Sequence, residues 1–385
     1  MAQNMTRPTT DRILSLDIFR GLVMAMMIVV NNQSGRAFDA LRHKPWDGCT
    51  PTDLVFPFFL FIVGVSMWFS YRKTDHRLTG AATLRLLKRG ALIFLVGLAL
   101  HLFPFWDFRA GEWVDLGGIR IMGVLQRIGV AFFVGGVLAL WLGTYRRIFI
   151  AVGVLLVGYF GLVEGLGNAT LEDFVGNRVD AFLLGVRHLY SPELPFDPEG
   201  LFSTIPSLAT VLLGYALGKF VGENRGGNES DYAKNRMKTL GTMGIAGGLS
   251  VVAGLALNTV CPINKAIWSP SFVLYTAGLA TLMWMALLWF YDYRGGRFGA
   301  TFGAVFGTNT LFSYVLAGVL MRTIGLPFFR FDADGQSQTV YSWWSHTLAG
   351  VMSEQLATLL ASVTLIAVIW LIVWPLYRKK IFIRL

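Results

Sequence analysis

Residues 43–64 read HKPWDGCTPTDLVFPFFLFIVG, so His43, Trp46, Asp47 and Asp53 stand at the mouth of a long apolar run. An imidazole titrates near neutrality and can take a proton from a reacting amine or carry an acyl group. A carboxylate on one ring nitrogen would fix the tautomer and leave the other for chemistry. Asp53 and Asp47 are the candidates for that partner. Asp53 has a second reading, because Thr50, Pro51 and Asp53 have the spacing of an N-cap, a first-turn proline and a capping-box acid. Trp46 offers a flat face of the kind on which sugar rings stack. Asn31 and Asn32 end the preceding apolar segment, and an asparagine amide can donate to a developing oxyanion.

Further polar residues recur near the ends of apolar segments. In GGIRIMGVLQRIGV, Arg127 lies seven residues beyond Arg120, roughly 10 Å deeper along a helix. A guanidinium at that depth is functional or paired, and Gln126 adds another donor. Lys88 and Arg89, with Arg85 and Arg72, form a basic group that either fixes topology or receives phosphates. His188, Asp197, Glu199, Asn264, Lys265 and Trp268 are candidate substrate-binding residues, with His101 and Asn309 as weaker polar points. Asp17 and Arg20, three apart, read as a structural ion pair. The chain shows no metal-ligand spacing, no phosphate-binding glycine motif and no nucleophile elbow. With two cysteines, Cys49 and Cys261, no disulfide framework is implied, although the two could pair.

The elements that must position these groups are membrane helices. Of 385 residues, 54% are hydrophobic and 15% charged, against ~45–50% and ~25% in soluble domains. The excess is blocked into segments long enough to cross ~30 Å of hydrocarbon as helices. Nothing has the alternation of a membrane β-barrel. The expected fold is all-α, a polytopic transmembrane bundle with spans at 14–32, 53–71, 88–106, 119–142, 146–165, 201–221, 239–258, 270–290, 300–322 and 357–376. Segment 344–356 is too polar for a span and reads as re-entrant or interfacial. The N-terminus lacks the features of a cleaved signal, so it leads into a retained first helix.

Ten spans place both termini on one side. With the termini inside, 21 of the 33 Lys and Arg residues fall on the inner side and 9 on the outer. That asymmetry points to cytoplasmic termini and accounts for much of the net charge of +10 without nucleic acid. It puts His43 and a long loop, 166–200, on the outer face. A single membrane-embedded domain is expected over 1–385, with 1–12 as a cytoplasmic tail.

The stretches LSLDIFRGL, VVNN, PWDGCTPTDLVFPFFLFIVG, RIMGVLQRIGV, LLGVRHLY, FDPEGLFSTIPSLATVLLGYALGK, INKAIWSPSFVLYTAG and YRKKIFIRL occur in this order. They resemble the heparan-α-glucosaminide N-acetyltransferase family of transmembrane acyltransferases, including its bacterial branch, from about residue 12 to 385. The resemblance implies transfer of an acetyl group from cytosolic acetyl-CoA to the amine of a glucosamine across the membrane. It assigns the active histidine to His43, its asparagine to Asn31 with Asn32 adjacent, and the motif arginines to Arg120 and Arg127. Cys49 departs from it, a leucine being familiar there. The catalytic set expected is therefore His43, Asn31 and Asp53, with Arg120, Arg127, Gln126, Lys88 and Arg89 on acetyl-CoA. Trp46, Asp47, His188, Asp197, Glu199, Asn264, Lys265 and Trp268 would contact the amino-sugar acceptor. No metal is expected, the resemblance suggests a homodimer, and the expected location is the inner (plasma) membrane. His43 acts either as general base or as acetyl carrier. The rival reading is an amino-sugar transporter, disfavoured because the sequence shows no inverted repeat and no pair of broken helices.

Overall fold

The computed structural model describes residues 13–33, 36–108, 110–225, 229–333 and 336–383. The expected 1–12 tail lies outside them. Among the described residues there are thirteen α-helices and two small hairpins, so the protein is all-α as expected. Eight helices are long and apolar enough to cross a membrane, as befits a multi-pass membrane protein. They are α1 (Leu14–Asn31), α2 (Pro51–Tyr71), α4 (Val124–Leu142), α5 (Tyr145–Leu166), α7 (Leu201–Asn224), α8 (Glu229–Leu257), α9 (Pro270–Leu287, continued by a π-helical turn to Tyr293) and α13 (Glu354–Arg378).

The remaining expected spans differ in form. Span 88–106 is α3 (Gly80–Leu102), which starts eight residues earlier than expected. At 23 residues it is long enough to cross, but Arg85, Lys88 and Arg89 hold its hydropathy down. Span 119–142 starts only at Val124, because residues 119–123 are not helical. The expected straight helix 300–322 is two pieces, α10 (Ala300–Thr308) and α11 (Thr310–Ile324), bent by 82° at Asn309. Among the described residues this is one broken span, where the sequence predicts a continuous helix. Asn309 is spent on protein at the bend: its amide donates to the Ile381 carbonyl (3.1 Å) and accepts from the Ile383 N–H (2.8 Å). Segment 344–356 becomes the end of a short helix, α12 (Val340–Ala349), a turn and the start of α13. The long loop 166–200 contains α6 (Val175–Leu184) and a tight bridge between Ser191 and Phe196.

The centre of the bundle is the seam between α2 and α7, lined by buried Leu60, Val211, Leu212 and Tyr215. Lipid offers no hydrophobic drive between helices, so close contact must hold them together. Small residues permit it here. A Cβ on Gly64 would strike the Val211 carbonyl, and one on Gly214 would strike that of Phe61. Helix α1 is fixed at both ends. The Asp292 carboxylate caps its start by accepting from the Leu14 and Ser15 N–H groups (3.2 and 2.9 Å). At its far end the Asn32 carbonyl accepts from Tyr341 and Ser362, on α12 and α13. That second anchor sets the position of Asn31.

Candidate active site

His43 sits in the loop before α2, its ring about half exposed at 48%, while Asp53 in the first turn of α2 is 1% exposed. The His43 Nδ1 lies 2.6 Å from Asp53 Oδ1. The other Asp53 oxygen accepts from the backbone N–H of Thr50 (3.0 Å) and of Lys44 (3.3 Å). Both readings of Asp53 therefore hold at once: it closes the capping box and it orients the imidazole. A carboxylate only accepts when ionised, so the shared proton is on Nδ1 and the neutral ring has its lone pair on Nε2.

A partner comes from far along the chain. Lys265 Nζ lies 3.0 Å from His43 Nδ1, 3.5 Å from Nε2 and 3.6 Å from Asp53 Oδ1. Because Nδ1 gives its proton to Asp53, the ammonium is held by the carboxylate rather than by that nitrogen. Burial pushes Lys265 below the ordinary lysine range, against the pull of Glu199 and Asp53. The loop that carries it is zipped to the His43 loop. The Gly48 N–H donates to the Ile263 carbonyl (2.7 Å), and the Asn264 amide donates to Asp47 (3.2 Å). Asn264 is fully buried, and its oxygen accepts from the Ile267 N–H (3.2 Å). Asp47 and Asn264 thus join two loops, which is a different role from substrate contact.

Asn31 borders a cleft of about 360 Å³ formed by α1, α3, α4 and α11, with His101, Gln126, Tyr314 and Arg322 on its walls. The Asn32 amide folds back onto the Ile28 carbonyl (2.8 Å). Among the described residues the Asn31 side chain makes no hydrogen bond and stands exposed. Of the two asparagines, Asn31 is the one with a free amide at the cleft.

Several expected contacts are committed elsewhere. The Arg120 guanidinium grips Asp197 through Nε (3.0 Å) and Nη2 (2.6 Å), and Nη2 also reaches Glu199 (2.5 Å). Arg120, Asp197 and Glu199 therefore form one ion cluster in which the guanidinium is shared by two carboxylates. A fork already filled by carboxylates is not open to phosphate. Arg127 is fully buried, donates to the Gly200 carbonyl (3.2 Å) and to Ser203, and stacks 5.1 Å above the Trp268 ring. It secures the start of α7. Trp268 is itself fully buried, with its indole on Thr210 (3.2 Å), and offers no face to a solute. Trp46 packs against Phe196 and donates to the Ala169 carbonyl (2.9 Å). His188 Nδ1 donates to the Ile119 carbonyl (2.7 Å), pinning the segment before α4. These residues shape the walls; none presents a free polar group to the His43 ring. Lys88 is exposed and Arg89 stacks on Phe132 at 5.0 Å. Lys88 is thirteen residues from His101 on α3, roughly 20 Å toward the opposite end of the bundle.

Cys49 and Cys261 are both free thiols. Burial, then the charge of Asp53, pushes the Cys49 thiol up to about 12. It is protonated at neutral pH and is a poor nucleophile beside His43. Nothing in the sequence signalled the Lys265 contact with His43, nor Tyr314 and Arg322 at the cleft. His101 was visible only as one polar residue in an apolar segment.

A sequence profile described as heparan-alpha-glucosaminide N-acetyltransferase, catalytic, matches residues 12–250. Two proteins named heparan-alpha-glucosaminide N-acetyltransferase are similar over nearly the whole chain. The one from Mus musculus is 28% identical across 98% of it, and the one from Homo sapiens 29% across 96%. The chain spans about three fifths of the length of these relatives, 61% and 59% respectively.

Proposed function

Given that this chain belongs to the heparan-alpha-glucosaminide N-acetyltransferase catalytic family, we propose that it is a transmembrane acetyltransferase of the inner (plasma) membrane, acting on a glucosamine-type amine with acetyl-CoA as donor. The observation that carries the chemistry is the His43–Asp53 pair at 2.6 Å, with the ring half exposed. Asp53 holds the proton on Nδ1, and Nε2 takes a proton from the sugar ammonium. The freed amine attacks the thioester carbonyl. Asn31 donates to the developing oxyanion, the C–S bond breaks as the CoA thiolate takes the proton from His43, and the remaining extra proton on the new amide nitrogen leaves to solvent through the freed imidazole. In the covalent variant Nε2 itself accepts the acetyl group and passes it on. Either route leaves an N-acetylated sugar and free CoA.

Lys88 and Arg89 at the far end of α3 are suited to receive the phosphates of a cytosolic nucleotide, with the pantetheine arm running between helices toward Asn31. Positive residues concentrated at that end support its being the cytoplasmic one. The whole of 1–385 acts as one membrane-embedded unit, and a homodimer belongs to the proposal. The bend at Asn309 is the one feature favouring a transporter. The break is filled by the 381–383 segment rather than by a cavity.

The test is purified protein in bilayer discs with acetyl-CoA and glucosamine. N-acetylglucosamine and free CoA in equal amounts are expected. A burst of CoA before sugar is added selects the covalent route. Sugar uptake into vesicles without acetylation would replace the reading with transport.

A further inference from the structure

The Asn31 cleft has a second imidazole on its wall, and we infer that His101 and Gln126 form the subsite that holds the acceptor sugar there. This rests on the transferase reading above. His101 Nδ1 lies 3.0 Å from the Arg120 carbonyl. A carbonyl only accepts, so Nδ1 carries the proton and the neutral ring has a bare lone pair on Nε2. The tautomer is firmly set, because Arg120 is itself clamped by Asp197 and Glu199. Room for that edge of the ring comes from Gly123. A Cβ there would stand 3.0 Å from Nε2, 2.8 Å from Cε1 and 3.0 Å from Gln126 Oε1. Gln126 is 1% exposed, yet its Oε1 has no hydrogen-bond partner. A buried acceptor left unpaired is destabilising unless something fills it.

The two groups are acceptors, and that selects the ligand. The reacting end of an acyl thioester offers only a carbonyl oxygen and a sulfur, neither of which can donate, and the first N–H of the pantetheine arm lies two methylenes behind the sulfur. A hexosamine carries several O–H groups and an ammonium, all donors. The amide of Asn31, on the α1 side of the same cleft, supplies the donor that a thioester oxygen needs. The cleft thus has an acceptor wall for the sugar and a donor wall for the acyl group. Its volume of about 360 Å³ lies within the ~300–1,000 Å³ range of small-molecule sites.

Two variants separate holding from folding. His101→Asn keeps an N–H for the Arg120 carbonyl but has nothing at the Nε2 position. His101→Gln reaches that position with an amide oxygen. The expected result is a KM for glucosamine raised at least tenfold in His101→Asn, with the KM for acetyl-CoA within twofold and partial recovery in His101→Gln. Stabilisation of the protein by millimolar glucosamine, read by thermal shift without acetyl-CoA, should weaken in parallel. An unchanged glucosamine KM and shift in His101→Asn overturns the subsite, as does a change confined to acetyl-CoA. A wild-type protein that binds glucosamine without acetylating it removes the transferase reading and leaves the subsite standing. A wild type that binds no glucosamine removes the subsite.

Discussion

His43 Nδ1 and Asp53 Oδ1 meet at 2.6 Å because a capping-box carboxylate has one oxygen to spare. The first turn of α2 needs an acceptor for the Thr50 N–H, and the second oxygen of that acceptor points at the imidazole. Helix formation and ring orientation are therefore one event, and the imidazole cannot be oriented before α2 has started.

Removing the ring and removing its partner should differ in kind. His43→Ala is expected to lower acetyl transfer by about 10²–10⁴-fold and leave thermal stability unchanged. Asp53→Ala should lower transfer as well, and should also destabilise the protein by about 1 kcal/mol through the lost cap. Turnover and unfolding in detergent check the two separately. Wild-type turnover in His43→Ala removes that residue from the mechanism.

Arg127 is expected to matter for folding rather than for acetyl-CoA. Arg127→Met removes a buried donor to the Gly200 carbonyl and to Ser203, while Thr204 still donates to that carbonyl (2.7 Å). Losing a hydrogen bond from a charged group costs about 1.5–3 kcal/mol. Yield and melting temperature should drop, and the acetyl-CoA KM of the surviving protein should not move. A raised KM at full stability would return Arg127 to the cofactor.

Lys88 and Arg89 should behave in the opposite way. The double substitution to Ala leaves the packed core intact and removes two candidate phosphate contacts. One such charged hydrogen bond, worth about 1.5 kcal/mol, corresponds to roughly a tenfold rise in acetyl-CoA KM. The glucosamine KM should stay constant. No change in either constant would place the nucleotide elsewhere.

Asp180 gives the protein a pH dependence. Burial pushes its carboxyl up to about 6, while its contact with the Phe202 N–H at 3.0 Å helps start α7. An unfolded aspartate titrates near ~3.9, so the folded state holds this proton more tightly. That stabilisation is complete below the unfolded value and disappears as pH rises through about 6. Relative to Asp180→Asn, the wild type should lose on the order of 2 kcal/mol between about pH 4 and pH 7. Parallel stability curves for the two proteins would refute the assignment.

Most spans were legible in the sequence because the signal is local. A backbone in hydrocarbon must satisfy its own hydrogen bonds, so an apolar segment of sufficient length is a helix whatever its neighbours. The capping box before α2 was legible for the same reason, since Thr50 and Asp53 act within one turn. The bend at Asn309 was not, because it depends on the 381–383 segment some seventy residues later. Trp268 and Arg127 looked available to ligands, since residue type cannot reveal that each covers the other.

The sequence alone determined which segments are helices, where α2 begins and that His43 stands beside an acid. The tertiary structure decided that Lys265 reaches His43 across 222 positions and that Asn31 shares a cleft with His101. It also decided that Arg120 is consumed by Asp197 and Glu199. Local rules act over one turn of helix; these contacts exist only once α2 and α7 have packed and the loops they carry have closed on one another.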